Sequence, residues 1–362
     1  MRILIAYNFD YEDNFVIAPN FYKDCAEQIF IKYSNTVTFL PTFKNRIFFK
    51  SLAFLGFRES VITNFFTFFW LLINIHKFDI VVGWLLNGIM SSFLKKVLHL
   101  NKVKVCLILY HIPNYDSSVV CKFKHYIMHK AYGGVNLLLA LDVLQASSFR
   151  NALIGKVKNI QALRYGVDSN WYKPYLLNYI HKKNIQNTIF CPGSAHRDDE
   201  TLKKAAHNLP VEIKRYQLNK SIHEDMTVER KNKTNISTFY NKPYDEYISE
   251  CLNSTIVVIA VNNSDKPVGL TSLLECMALG RPIIISDGAS SRDYIQDGVN
   301  GILYKEGDWA DLRKKILFLI DNPEISKKIG LLARRSVEDK YDLEGCGNKF
   351  YSQLLSMVEA KK

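Results

Sequence analysis

The chain is poor in paired cysteine: its seven, at positions 25, 106, 121, 191, 251, 276 and 346, never fall into a C-x-x-C pair. That excludes a disulfide framework and the usual zinc motifs, and fits reduced thiols in a cytoplasmic protein. Long apolar runs are missing as well. The most apolar stretch, VITNFFTFFWLLINI at residues 61–75, would span about 22 Å as a helix, against roughly 30 Å of bilayer hydrocarbon. Thr63, Asn64, Thr67 and Asn74 interrupt it, so a buried core helix is expected there and no membrane span. The opening MRILIAYNFD has one basic residue and too short an apolar run for a signal peptide. No D-x-D and no His/Cys cluster is present, so no metal site is expected.

Acids are scarce in the first half, where only Glu59, Asp79 and Asp116 lie between Asn35 and Leu141. Residues 1–165 carry a net charge of +10 and residues 166–362 only +2. Either an anionic partner meets the first half or its surface is merely solvated. A stretch at 44–58, KNRIFFKSLAFLGFR, interleaves four basic residues with Phe48, Phe49, Leu52, Phe54 and Phe57. It reads as an interfacial amphipathic helix or as an ordinary helix with a basic face. No nucleic-acid recognition motif accompanies the charge. What is present is an ordinary globular composition, 48% apolar and 23% charged over 362 residues, enough for two domains.

Short apolar runs alternate with helical patterns throughout. Strands are expected at 2–7, 79–84, 102–110 and 136–142, then at 188–192, 211–217, 236–239, 255–261 and 282–286. Runs apolar on both faces and separated by helices describe an α/β fold of doubly wound parallel sheets. The alternation breaks at RYGVDSNWYKP, residues 164–174. The expected division is a Rossmann-like domain at 1–165, a second at 166–345, and a helix at 346–362 packing back on the first. The carboxyl ends of both sheets would face a cleft, where ligands of open α/β sheets bind.

Two strand–turn–helix junctions in the second half carry the chemistry. VGLTSLLECMALGRPIII, residues 268–285, has Gly269 ahead of a helix beginning near Thr271 or Ser272 and stopping at Gly280. Free N–H groups and the positive dipole end of such a helix attract phosphate. Ser272-Leu-Leu-Glu275 is equally an S-x-x-E capping box, which would give Glu275 a structural task only. CPGSAHRDDETLKKAA, residues 191–206, offers a second glycine turn with Arg197 beside it. Its guanidinium could grip a phosphate, or simply pair with Asp198, Asp199 or Glu200. In the first half, His111 of LYHIPN ends a strand.

Taken together, these stretches resemble the donor domain of GT-B glycosyltransferases of family 4, the glycosyltransferase group 1 family. The matching pieces are RYGVDSNWYKP, PGSAHRDDETL, GLTSLLECMALGRPIIISD and SSRDYIQDGVNGILYKEGD, covering roughly residues 162–342. The resemblance implies a retaining, metal-independent hexosyltransferase-like enzyme with no cofactor beyond a nucleotide-sugar co-substrate. It places Arg197 at the donor diphosphate, with Gly193 and Ser194 beside it and Gly269, Leu270 and Thr271 offering backbone N–H groups. It assigns Glu275 to the ribose, His111 to the transferred sugar, and Asn241 and Lys242 to the nucleobase. The implied acceptor is a glycan, glycolipid or lipid-linked molecule, and the implied location is the cytoplasm or the inner face of a membrane.

Two departures stand out. The family pairs Glu275 with an upstream acid, and Pro267 stands eight positions before it with no acid nearer than Asp265. The glycine-rich loop after the first strand is replaced by NFDYEDNF, residues 8–15. A non-catalytic sugar- or nucleotide-binding subunit is therefore the alternative expectation, and a nucleotide-sugar epimerase a more distant one.

Overall fold

A computed structural model describes residues 1–6, 36–40, 59–109, 119–180, 187–217, 226–227, 235–262 and 267–359. Two compact units emerge. One holds the described residues up to Leu163 and those from Gly347 onward; the other holds Arg164–Cys346.

The first unit is a parallel sheet in the order β2-β1-β3-β4-β5-β6. Its strands are β1 (Arg2–Ala6), β2 (Thr36–Phe39), β3 (Ile80–Trp84), β4 (Lys104–Leu109), β5 (Leu137–Ala140) and β6 (Ile160–Ala162). All five strand pairs are parallel. The central strands are buried on both faces, which explains their unbroken apolar sequence. Helices α1 (Glu59–Asn74), α2 (Leu85–Val97), α3 (Val119–Tyr132) and α4 (Val143–Ala152) connect them.

Helix α1 corrects one expectation. The apolar stretch at 61–75 is not buried all round. Thr67, Leu71 and Ile75 are fully buried, whereas Phe65, Phe69 and Ile73 are 57%, 44% and 64% exposed. These three recur every fourth residue, so they form one outward row, and the Phe65 and Phe69 rings touch at 4.7 Å. A helix laid on one face of a sheet can hide only the side that meets the sheet, however apolar the other side is. Among the described residues, no helix is long and apolar enough to cross a membrane.

The second unit orders its strands β13-β12-β11-β7-β8-β10-β9. These are β7 (Thr188–Pro192), β8 (Glu212–Gln217), β9 (Met226–Thr227), β10 (Ile236–Tyr240), β11 (Ile256–Ile259), β12 (Ile283–Ser286) and β13 (Ile302–Tyr304). All pairs are parallel except the two-residue β9, which runs antiparallel to β10. The helices are α5 (Lys173–Ile180), α6 (Asp199–Ala206), α7 (Tyr244–Asn253), α8 (Leu270–Ala278), α9 (Ala289–Arg292), α10 (Trp309–Asp321) and α11 (Pro323–Ser336), while α12 (Leu343–Glu359) belongs to the first unit from Gly347 onward. Strand order reverses between β7 and β11, the switch point where open α/β sheets bind ligands at strand carboxyl ends. Every strand expected from the sequence is present. The short β2, β6, β9 and β13 are additional.

Helix α8 is locked into this unit at its C-terminal end. Its C-terminus meets Arg334 of α11, whose Nη1 donates to Ala278 O (2.5 Å) and Nη2 to Ser169 O (2.8 Å). Nε of the same guanidinium donates to Glu338 Oε1 at 2.8 Å. A buried cation thus satisfies a terminal helix carbonyl and complements the negative dipole end. Arg334→Met should destabilise the second unit by about 2–4 kcal/mol, since it strands two carbonyl groups and a carboxylate. Urea unfolding followed by tryptophan fluorescence checks this.

Candidate functional site

At the switch point, the turn after β7 and the turn before α8 meet around one guanidinium. Arg197 donates from Nε to Pro192 O (2.8 Å), from Nη1 to Ala195 O (2.9 Å) and from Nη2 to the Ser272 hydroxyl (3.3 Å). Both flanking glycines are left-handed, at φ +87° for Gly193 and +77° for Gly269. A Cβ on Gly193 would stand 2.0 Å from Arg197 Nη2, and one on Gly269 3.6 Å from Nη1. The left-handed φ favours glycine at 193, and a Cβ there would also displace the Arg197 guanidinium. The turn is tied down further by Asp198 N donating to Ala260 O (3.0 Å) and Asn262 N to His196 O (3.0 Å).

The salt-bridge reading of Arg197 does not hold among the described residues. Asp199 pairs with Arg215 at 2.6 Å, Glu200 lies 3.6 Å from Lys203, and the Asp198 carboxylate caps α6 by accepting from Thr201 N at 3.1 Å. Burial pulls the guanidinium below its ordinary pKa. It remains a cation, held largely by neutral oxygen acceptors.

The capping-box reading of Glu275 fails too. Helix α8 starts at Leu270 with Gly269 as its N-cap, one to two residues earlier than expected. Ser272 is then the third helical residue and not the cap. The start is early because Gly269 adopts the left-handed turn that swings the chain into the helix. The N–H groups of Leu270, Thr271 and Ser272 consequently have no intrahelical acceptor. Leu270's side chain belongs to the core, while Thr271 is exposed.

Glu275 lies on the buried side of α8, only 7% exposed. Tyr247 of α7 donates its phenol to Glu275 Oε2 at 3.0 Å. Tyr244 stacks on Tyr247, with centroids 5.4 Å apart and planes 13° from parallel, and shares a 2.9 Å hydroxyl contact with Tyr172. Burial pushes the carboxyl up to about 7, against the pull of hydrogen bonds from Tyr247 and Tyr244. Asn241 and Lys242 stand at the β10–α7 junction leading to these tyrosines. Asn241 is left-handed (φ +52°), and Lys242 Nζ sits 3.6 Å from Glu246. Ser194 is exposed on the Arg197 turn. His111, residues 8–15 and residues 44–58 lie outside the described residues. Sequence reasoning missed Tyr172, Tyr244 and Tyr247. Only the Tyr-x-x-Tyr spacing on α7 hints at a shared face, and nothing in the sequence links it to Glu275.

Residues 216–336 match the family model described as glycosyl transferases group 1. A putative glycosyltransferase, EpsD, of Bacillus subtilis is 38% identical over 65 residues, 18% of this chain and 17% of that protein. The poly(ribitol-phosphate) alpha-N-acetylglucosaminyltransferase of Staphylococcus aureus is 29% identical over 130 residues, 35% of this chain and 24% of that protein. The chain thus spans less than a quarter of the length of either relative. The Anabaena protein HepE, solved with UDP-glucose, aligns over 98% of this chain and all of its own, with a TM-score of 0.66 at 13% identity. The fold is accordingly GT-B, built of two Rossmann-like units. Within its second unit, residues 216–336 are similar to the group 1 glycosyl transferases.

A carboxyl that binds its proton more tightly when folded than when unfolded loses stability as it is forced to ionise. For Glu275 that loss accrues from its ordinary 4.5 up to about 7, a difference worth about 3 kcal/mol. Glu275→Gln cannot ionise. It should match the parent below the unfolded value and melt several degrees above it at pH 8, as calorimetry across the pH range will show.

Proposed function

We propose that the chain transfers a sugar from a nucleotide-sugar donor to a glycan, glycolipid or related acceptor, with retention and without a metal ion. The observation that carries this reading is the Arg197 guanidinium, lodged between two glycine turns at the strand-order switch beside the start of α8. Breaking the glycosidic bond builds negative charge on the leaving diphosphate. A preorganised donor set facing that charge is typically worth about 10²–10³ in rate. In this reading Arg197 and the N–H groups of Leu270 and Thr271 hold the diphosphate, with Gly193, Ser194 and Gly269 shaping the turns. Glu275 accepts from the ribose hydroxyls, Asn241 and Lys242 stand by the nucleobase, and His111 serves the transferred sugar. That a protein of the same fold was solved with UDP-glucose supports the donor class. Retention rests on the family resemblance alone.

Pro267 favours one second reading, a unit that binds nucleotide or sugar without turnover, because proline supplies neither charge nor an N–H at the position of the missing acid. A thermal-shift panel of UDP-, GDP- and ADP-glucose, followed by a hydrolysis assay on the tightest binder, separates the two. Arg197→Ala should weaken UDP by about 1.5–3 kcal/mol while leaving uridine nearly unaffected. Equal losses for both ligands would return Arg197 to a structural part.

The first unit is proposed to rest on an anionic membrane surface, the inner face where a lipid-linked acceptor would be met. Its sequence carries most of the net positive charge, and α1 presents the exposed row Phe65, Phe69 and Ile73. Apolar side chains on a basic unit suit a surface that is anionic above hydrocarbon. The full chain should co-sediment with phosphatidylglycerol vesicles at low salt and less so as salt rises. Phe65→Ser/Phe69→Ser should weaken that binding severalfold. Equal binding to neutral phosphatidylcholine vesicles, or none at low salt, would exclude the anionic surface.

A further inference from the structure

Helix α7 holds two phenols that the donor chemistry has not used. They lie three residues apart on one helix face, and the pair reaches a carboxylate of another helix through Tyr247. Tyr247 bonds Glu275 Oε2 directly, and Tyr244 stacks on the Tyr247 ring while its hydroxyl meets that of Tyr172. Packing alone does not require the hydroxyls. The Tyr247 ring meets Phe190 at 5.1 Å and Tyr216 at 6.3 Å, contacts that phenylalanine would make equally well. Tyr172, fully buried, completes the array through its 2.9 Å contact with the Tyr244 hydroxyl.

We propose that Tyr247, backed by Tyr244, is a positioning residue that aims the Glu275 carboxylate at the donor. The proposal rests on the reading that Glu275 binds the nucleotide sugar. A buried carboxyl can accept from two ribose hydroxyls only when it is ionised and held in one rotamer. Burial alone works against ionisation, and each phenol donated to the carboxylate works for it. The ionisable groups around α8 are Tyr244, Tyr247 and Cys251 on α7, Tyr172 ahead of α5, and Cys276 and Arg281 in its own segment. Arg197 after β7 and Arg334 on α11 complete the set. Burial and the two α7 phenols are what act on Glu275. The group loses its proton near neutral pH, so donor affinity should rise with pH through about 7.

The test is calorimetric titration of whichever of UDP-, GDP- or ADP-glucose binds most tightly, across the neutral range. Such a diphosphate diester does not itself titrate there. Tyr247→Phe should displace the midpoint of the affinity profile to higher pH. For a midpoint displaced by about one unit, its deficit should be about fivefold at pH 7, approach about tenfold well below it, and close as pH rises. Tyr244→Phe should act in the same direction and carries the test if Tyr247→Phe does not fold. A midpoint that stays in place, or a deficit equal at every pH, would overturn the positioning role. Glu275→Gln separates this from the underlying reading. Weak, pH-independent binding by the Gln variant upholds the donor reading whatever the tyrosine variants do. Binding equal to the parent removes the donor reading and the tyrosines' role with it.

Discussion

The constraint on which the second unit turns is a guanidinium held by neutral oxygens. Arg197 gives three of its N–H groups to Pro192 O, Ala195 O and the Ser272 hydroxyl, none of which cancels its charge. Carrying a partly desolvated cation in this way costs free energy in the empty protein. The start of α8 beside it adds further positive potential. An anion there would relieve both, which is why the proposed reading sets the diphosphate at this point. The neighbouring acids are kept apart from it by other tasks, Asp199 with Arg215 and Asp198 at the cap of α6. Left-handed glycines at 193 and 269 let two backbone turns close around the same head group.

Helix α8 then carries opposite requirements along its length. Its first-turn N–H groups have no intrahelical acceptor, while its second turn buries Glu275 against α7 and Ala278 O near its end is held by Arg334. The anchored C-terminus sets the position of the open N-terminus. Gly280 and Gly330 contribute to this, since a Cβ at 330 would stand 2.3 Å from Gly280 O, and so α11 can lie directly against the turn that ends α8. Site and core are therefore not separable in this unit. The apolar face of α8 is what orients its polar start.

Much of this was legible in the sequence. Parallel strands buried on both faces appear as continuous apolar runs, which is why all nine expected strands are found, and β2, β6, β9 and β13 escaped because two to four residues hold too little pattern to separate from a loop. Glycine at 193 and 269 was readable, because a backbone requirement is written in one residue. Burial on a helix was less so. The row Phe65, Phe69, Ile73 and the inward Thr67 cannot be told apart by polarity, because only the position of the sheet decides which side is covered. The start of α8 also escaped, since Ser272 and Glu275 satisfy the capping pattern while the backbone turn at Gly269 pre-empts it. The phenols around Glu275 were invisible because the pairing joins residues on two helices that only the folded sheet brings side by side.

Pro267 acts on a different part of the proposed donor from Arg197 and Glu275. In the proposed reading the guanidinium and the helix start address phosphate and the buried carboxylate addresses the ribose, so the nucleotide portion would retain these partners. What proline removes is a side chain able to accept from sugar hydroxyls, together with one backbone N–H, two residues ahead of Gly269. Its fixed φ also stiffens the approach to the left-handed turn. Recognition of the transferred sugar must therefore fall to backbone groups and to other side chains. If the proposed donor reading holds, nucleotide affinity and sugar discrimination would be separable, with affinity set by the elements β7, α7 and α8 and discrimination set outside them.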